Sequence, residues 1–108
     1  MAMLRGTLDP LVLKTLSWTP MHAFEITIWL EEQSDGRVLV DDAALLQALH
    51  RLEERRFIAA EWGVTKNGRR ARYYKITTAG RAYLRAESAR LVDHFDAVAA
   101  ILSAKTIK

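Results

Sequence analysis

Between Asp42 and Ile76 the chain reads DAALLQALHRLEERRFIAAEWGVTKNGRRARYYKI, and its hydrophobic period changes once along the way. Up to Leu52 the apolar residues Leu45, Leu49 and Leu52 recur at i, i+4 and i+7 with Ala48 among them, the spacing of one buried helix face. Asp41 or Asp42 is placed to cap that helix. Its opposite face carries Ala43, Leu46, Gln47, His50 and Arg51. From Phe57 onward the period falls to two, with Ile58, Ala60, Trp62 and Val64 alternating with Ala59, Glu61, Gly63 and Thr65. Asn67-Gly68 then interrupts, and residues 69–76 return as a second strand. An Asn-Gly pair suits a type I′ turn, whose two central residues both need positive φ, so a β-hairpin is predicted over about residues 57–76. On its returning strand Tyr74 and Ile76 look inward, whereas Arg70 and Arg72 share their parity and do not. A hairpin whose base packs on the core and whose tip stands free reconciles the two.

Working outward, Asp9-Pro10 reads as an N-cap followed by a first-turn proline, which lacks an N–H that the first turn leaves unpaired anyway. Leu8, Leu11, Val12 and Leu16 supply an apolar face to about Trp18. Thr19-Pro20 repeats the start signal for a second helix through Phe24, Ile28 and Trp29, ending near Asp35-Gly36. Val38–Val40 reads as a short strand. On the far side of the hairpin, Thr77 or Thr78 caps a last helix from about Gly80 to near the C-terminus. Along it Leu84, Leu91, Phe95, Val98 and Leu102, with Ser88 interposed, step by 4, 3, 4, 3 and 4 residues. That heptad seam is hard to satisfy inside one small domain and points to a homodimer interface.

The 108 residues suit one modest core, and 50% apolar with 27% charged residues is the balance of a folded chain. No cysteine is present, which excludes disulfides, thiolate metal sites and cysteine nucleophiles. His22, His50 and His94 lack metal-ligand spacing, and no nucleophile elbow, phosphate loop or paired-carboxylate motif occurs, so neither a metal, a cofactor nor an enzyme is expected. The N-terminus offers Arg5 but no long apolar region, and no run is long enough to span a bilayer, so a cytoplasmic protein is expected.

The net charge of +3 conceals a strong segregation. Residues 55–75 hold Arg55, Arg56, Lys66, Arg69, Arg70, Arg72 and Lys75 against Glu61 alone, a balance of +6, whereas residues 1–54 stand at −5 and residues 76–108 at +2. A charged hairpin taken alone keeps an edge strand soluble. Here it closes the order helix, helix, short strand, helix, basic hairpin, helix. That is the order of a winged helix-turn-helix, mainly α with a small β wing, in which the third helix enters the major groove and the wing meets the phosphate backbone or minor groove.

Three stretches carry a further signal: LRGTLDPLVLKTLSWTPMHAFEI from Leu4, ALHRLEERRFIAAEW from Ala48, and NGRRARYYKITTAGRAYL from Asn67. In this order they resemble the PadR family of bacterial transcriptional regulators across about residues 4–102. The resemblance implies a dimeric winged-helix repressor, with a DNA-binding domain over 1–78 and a C-terminal dimerisation helix over 79–108. Some relatives bind flat aromatic effectors between subunits, so Trp18 and Phe95 become candidate lining residues of an effector pocket. Three positions depart from the family pattern. Ala23-Phe24 replace Gly-Tyr after the histidine, and Leu46 removes a tyrosine hydroxyl expected at the DNA backbone. Arg56 stands where a glycine ends the third helix, so a left-handed residue there would be strained by about 1 kcal/mol.

Candidate DNA contacts follow from chemistry. Gln47 and Arg51 are one helical turn apart, suited to adenine and guanine edges, with His50 as a phosphate contact. At the wing tip Arg69 and Arg70 flank Asn67-Gly68, where guanidinium groups reach phosphates or a narrow minor groove, and Lys66 adds another cation. Arg72 and Lys75, nearer the core, are expected to pair with carboxylates such as Glu61, and Trp18, Trp29 and Trp62 to lie in the core or a subunit interface. The expected partners are a second copy of the chain and double-stranded DNA with an approximately palindromic operator. The rival readings are a winged-helix protein-interaction module and a ligand sensor with weak DNA binding.

Overall fold

The first helix is set by what its opening turn can tolerate. In the computed structural model, which describes residues 6–107, helix α1 spans Leu8–Leu16, and Leu4, Arg5 and Lys108 lie outside the described residues. Thr7, not Asp9, precedes the helix, so Asp9 sits inside the first turn, where the positive end of the helix favours its carboxylate. Pro10 stays within that turn and breaks no hydrogen bond.

Helix α2 spans Ala23–Gln33 and starts three residues later than Thr19-Pro20 had suggested, because His22 takes the capping role. Its Nδ1 accepts from the Glu25 N–H at 3.3 Å, and its own N–H donates to the Glu25 carboxylate at 3.1 Å, a reciprocal capping box. The helical start also absorbs Ala23-Phe24. Val38–Val40 forms no strand; Val38 and Val40 pack against the core from the segment between α2 and the next helix. The wing finds its third backbone partner in Met21, whose N–H and C=O exchange hydrogen bonds with Tyr74 at 3.1 and 2.9 Å.

Asp41 caps α3 (Asp42–Glu54), accepting from the Ala44 N–H at 2.7 Å. Leu45, Ala48, Leu49 and Leu52 are buried along one face, as their spacing requires. Strands β1 (Ile58–Val64) and β2 (Arg70–Ile76) then pair antiparallel, from Ile58 opposite Ile76 to Val64 opposite Arg70. The turn differs from the type I′ expectation. Thr65 and Arg69 close a three-residue loop in which the Thr65 N–H donates to the Arg69 carbonyl at 2.8 Å. Gly68, at φ +78°, takes the left-handed place, while Asn67 has no positive φ. Lys66 adds the residue that makes a type I turn with a glycine bulge fit where a two-residue turn does not.

The junction between α3 and the wing turns on Arg56, which adopts φ +63° where the family pattern has glycine. Thr77 locks this corner. Its hydroxyl donates to the Arg56 carbonyl at 2.8 Å and accepts from the Gly80 N–H at 3.0 Å, capping α4 (Thr78–Leu102). One core joins Val12, Leu13 and Leu16 of α1, Ile26 and Leu30 of α2, the α3 leucines, Ile58, Tyr74 and Ile76 of the hairpin, and Leu84 of α4. Only Gly80 and Leu84 of α4 are buried. At 1.5 Å rise per residue this 25-residue helix is about 37 Å long, and it gives the chain its extents of 60 × 28 × 21 Å.

Candidate nucleic-acid interface

With one face of α3 against the core, the other is held outward. Leu46, Gln47, His50 and Arg51 are all exposed and line one shallow depression. Leu46 also lines an adjoining groove with Phe24, Trp62, Asn67, Arg69, Arg70, Arg72 and Tyr74. The α3 face and the wing therefore form one continuous surface with Leu46 at its centre.

The cations on this surface are held in different ways. Arg51 makes a two-point contact with Asp9 of α1, its Nη2 2.6 Å from Oδ1 and its Nε 3.2 Å from Oδ2. That hydrogen bonding raises the guanidinium pKa above its ordinary value, and partial burial opposes it. Arg51 thus reaches the surface from a fixed direction. His50 lies 4.0 Å from Glu54, an ion pair only when the imidazole is protonated. Arg72 pairs with Glu53 of α3 at 2.8 Å, not with Glu61. The register explains the choice: Glu61 stands opposite Tyr73, on the other face of the hairpin from Arg72.

Toward the tip the carboxylates run out. Lys66, Asn67, Arg69 and Arg70 are exposed, and among the described residues no ion pair involves any of the three cations. The Arg70 guanidinium lies over the Trp62 indole, 4.4 Å from the ring centroid. Trp62 is 59% exposed and so does not belong to the core. Arg55 is withdrawn from the surface chemistry, stacked on Phe57 and Tyr83 at 4.7 and 4.8 Å.

Phe24 and Trp62 also line this surface, although the sequence pattern places Phe24 within the second helix and Trp62 in the core or a subunit interface. For Trp62 a signal was present: once the hairpin register is drawn, it falls directly opposite Arg72 and diagonal to Arg70. The remaining candidates lie elsewhere. Trp18 is exposed near the end of α1, with the Lys14 ammonium 4.8 Å over its ring, and Phe95 is partly exposed on α4. Leu91 and Val98 are half-buried and Leu102 is exposed, whereas Leu84 is 9% exposed and packs in the core. Among the described residues no group of His, Asp and Glu could hold a metal ion, and no helix is long and apolar enough to cross a membrane.

A winged helix that presents an open helix face beside a cationic hairpin tip defines a DNA-binding regulator. The chain belongs to the PadR-like family of transcriptional regulators, whose profile matches residues 12–86. It is similar to an uncharacterized protein of Lysinibacillus sphaericus, 30% identical over 81 residues that make up 75% of this chain and 74% of that one. It is also similar to the crystal structure of a PadR family transcriptional regulator from Eggerthella lenta, with 27% identity, TM-score 0.76, and coverage of 94% of this chain and 86% of that one. A PadR-like regulator from Bacillus cereus shares the fold at 20% identity, with TM-score 0.79 over 95% and 98% of the two chains.

Proposed function

We propose that this chain is a homodimeric repressor that binds an approximately palindromic operator through two copies of the α3 and wing surface. The observation that carries the reading is the continuity of that surface: the depression lined by the exposed α3 residues and the groove lined by Arg69 and Arg70 adjoin at Leu46, which borders both. In this reading α3 enters the major groove, with Gln47 and Arg51 at base edges and His50 at a phosphate. Lys66, Asn67, Arg69 and Arg70 meet the adjacent backbone or minor groove. The two-fold arrangement rests on α4, whose length beyond Leu84 carries Leu91, Val92, Phe95 and Val98 with no buried position. Such a stripe suits a second copy of itself, and the pairing sets the distance between the two recognition helices. Repression follows by occupancy of the operator.

Footprinting on DNA upstream of the protein's own gene, titrated with salt, tests the reading. Specific protection with two-fold symmetry is expected, with affinity falling steeply as salt rises. Arg70→Ala should weaken binding and reduce the log–log salt slope by about 1, the share of one phosphate contact. Equal protection of promoter and scrambled duplex, or an unchanged affinity and slope in Arg70→Ala, would favour the protein-interaction reading instead.

A further inference from the structure

The face of the hairpin that packs on the core at its base continues toward the tip as a ladder in which aromatic rings and guanidinium groups alternate. Residues directly opposite one another across the two strands share a face, so Tyr74, Arg72, Trp62 and Arg70 follow one another from the core outward on a single side. Tyr74 is buried, and Arg72, 5.9 Å from its ring, is tied back to α3 through Glu53. Arg70 has no carboxylate to hold it among the described residues, and its fixed contact is the indole of Trp62 at 4.4 Å.

We propose that Trp62 is a positioning residue for DNA binding: its indole holds the Arg70 guanidinium over the groove so that the N–H edge is presented to the anionic backbone of the duplex. The proposal rests on the DNA-binding reading of the wing. Its physical basis is the shape of the cation. A guanidinium is flat, with its five N–H donors around the edge, so stacking through a face leaves those donors free for phosphate oxygens. An arginine at an exposed hairpin tip otherwise samples many rotamers and loses that freedom on binding, whereas a stacked one is already restricted. Trp62 is itself exposed, so its removal perturbs the tip without opening the core.

The test is a double-mutant cycle read by fluorescence anisotropy on the duplex protected in the footprint, using the full chain. At an exposed site the stacking contact corresponds to about a two- to fivefold effect, so W62L should weaken binding by about that factor. R70A should weaken it further, and W62L added to R70A should change nothing more. W62F, which keeps a ring face, should retain most of the affinity. The salt slope separates position from charge: R70A lowers it by about 1, while W62L leaves it unchanged because the cation is still present. The proposal is overturned if W62L costs as much in the R70A background as with Arg70 present, since Trp62 would then act on DNA or on the fold directly. It is equally overturned if W62L is neutral while R70A weakens binding. R70A without effect would sink the wing reading itself, a result distinct from either of these.

Discussion

Gly80 lies in the first turn of α4, at the point where the helix leaves the wing, and nothing larger fits there. A Cβ at this position would stand 2.1 Å from the Phe57 carbonyl oxygen, 2.8 Å from Cγ1 of Ile76 and 3.0 Å from the Phe57 carbonyl carbon. Carbon–oxygen contacts settle near about 3.3 Å, so Gly80→Ala requires α4 and the start of β1 to separate by roughly 1 Å. Two hydrogen bonds resist that movement. The Thr77 N–H donates to the Phe57 carbonyl at 3.0 Å and the Thr77 hydroxyl to the Arg56 carbonyl at 2.8 Å. Overpacking costs about 1–3 kcal/mol and two loosened bonds about 2 more, while the better helix propensity of alanine returns about 1, leaving a net loss of about 2–4 kcal/mol. For a domain of this size that lowers the thermal midpoint by at least about 8 °C.

The assay is thermal and urea unfolding of Gly80→Ala at the same protein concentration as wild type, because an associating chain gains apparent stability with concentration. Gly63→Ala is the internal control. A Cβ there meets Cδ1 and Cε1 of Tyr73 at 2.8 and 2.9 Å, but these belong to a side chain that can swing aside, so a loss below about 1 kcal/mol is expected. A Gly80→Ala variant that melts within about 2 °C of wild type, or no lower than Gly63→Ala, would refute the backbone contact as drawn.

Two further outcomes are expected. Arg56→Gly should stabilise the fold by up to about 0.5 kcal/mol, read as a higher urea midpoint at unchanged slope, because a left-handed non-glycine residue is relieved and most of the gain is offset by the freer unfolded chain; a lower midpoint would show that φ +63° is not strained here. Leu91→Asp should shift the chain to monomer in sedimentation at concentrations where wild type is a dimer, and a variant that still sediments as a dimer would remove α4 beyond Leu84 from the interface.

What the sequence disclosed and what it withheld divide by the range of the interaction. The buried face of α3 was legible because Leu45, Ala48, Leu49 and Leu52 encode it by spacing alone, and the hairpin because alternation and Asn67-Gly68 are local signals. The start of α2 was not, because an imidazole nitrogen does the work usually done by Ser, Thr, Asp or Asn, and the pattern His22 to Glu25 lies outside that set. Val38–Val40 had the composition of a strand, yet the backbone partner on the Tyr74 edge of the wing is Met21, and Val38 and Val40 are used to pack on the core. Asp9 reaches Arg51 across 42 positions of sequence, a pairing fixed only once α1 and α3 are packed together. Arg72 had Glu61 nearby in the hairpin and took Glu53 instead, since parity put Glu61 on the wrong face.

Those last two pairs change the meaning of the charge segregation. The acidic helical half does more than offset a basic hairpin; its carboxylates hold the arginines nearest the core, Asp9 on Arg51 and Glu53 on Arg72. An arginine so engaged contributes orientation and little net charge to its neighbourhood, because its field is largely cancelled at the distance of a phosphate. Outward from these pairs Lys66, Arg69 and Arg70 stand without carboxylates among the described residues, and Trp62 holds Arg70 through a contact that leaves its charge intact. The surface is therefore graded, with restrained cations over α3 and uncompensated cations at the tip; in the proposed binding mode the first suit base edges, which demand direction, and the second a polyanion, which rewards charge. On that grading the salt dependence of binding should reside in the tip, and the sequence preference in the α3 face that Asp9 and Glu53 hold in place.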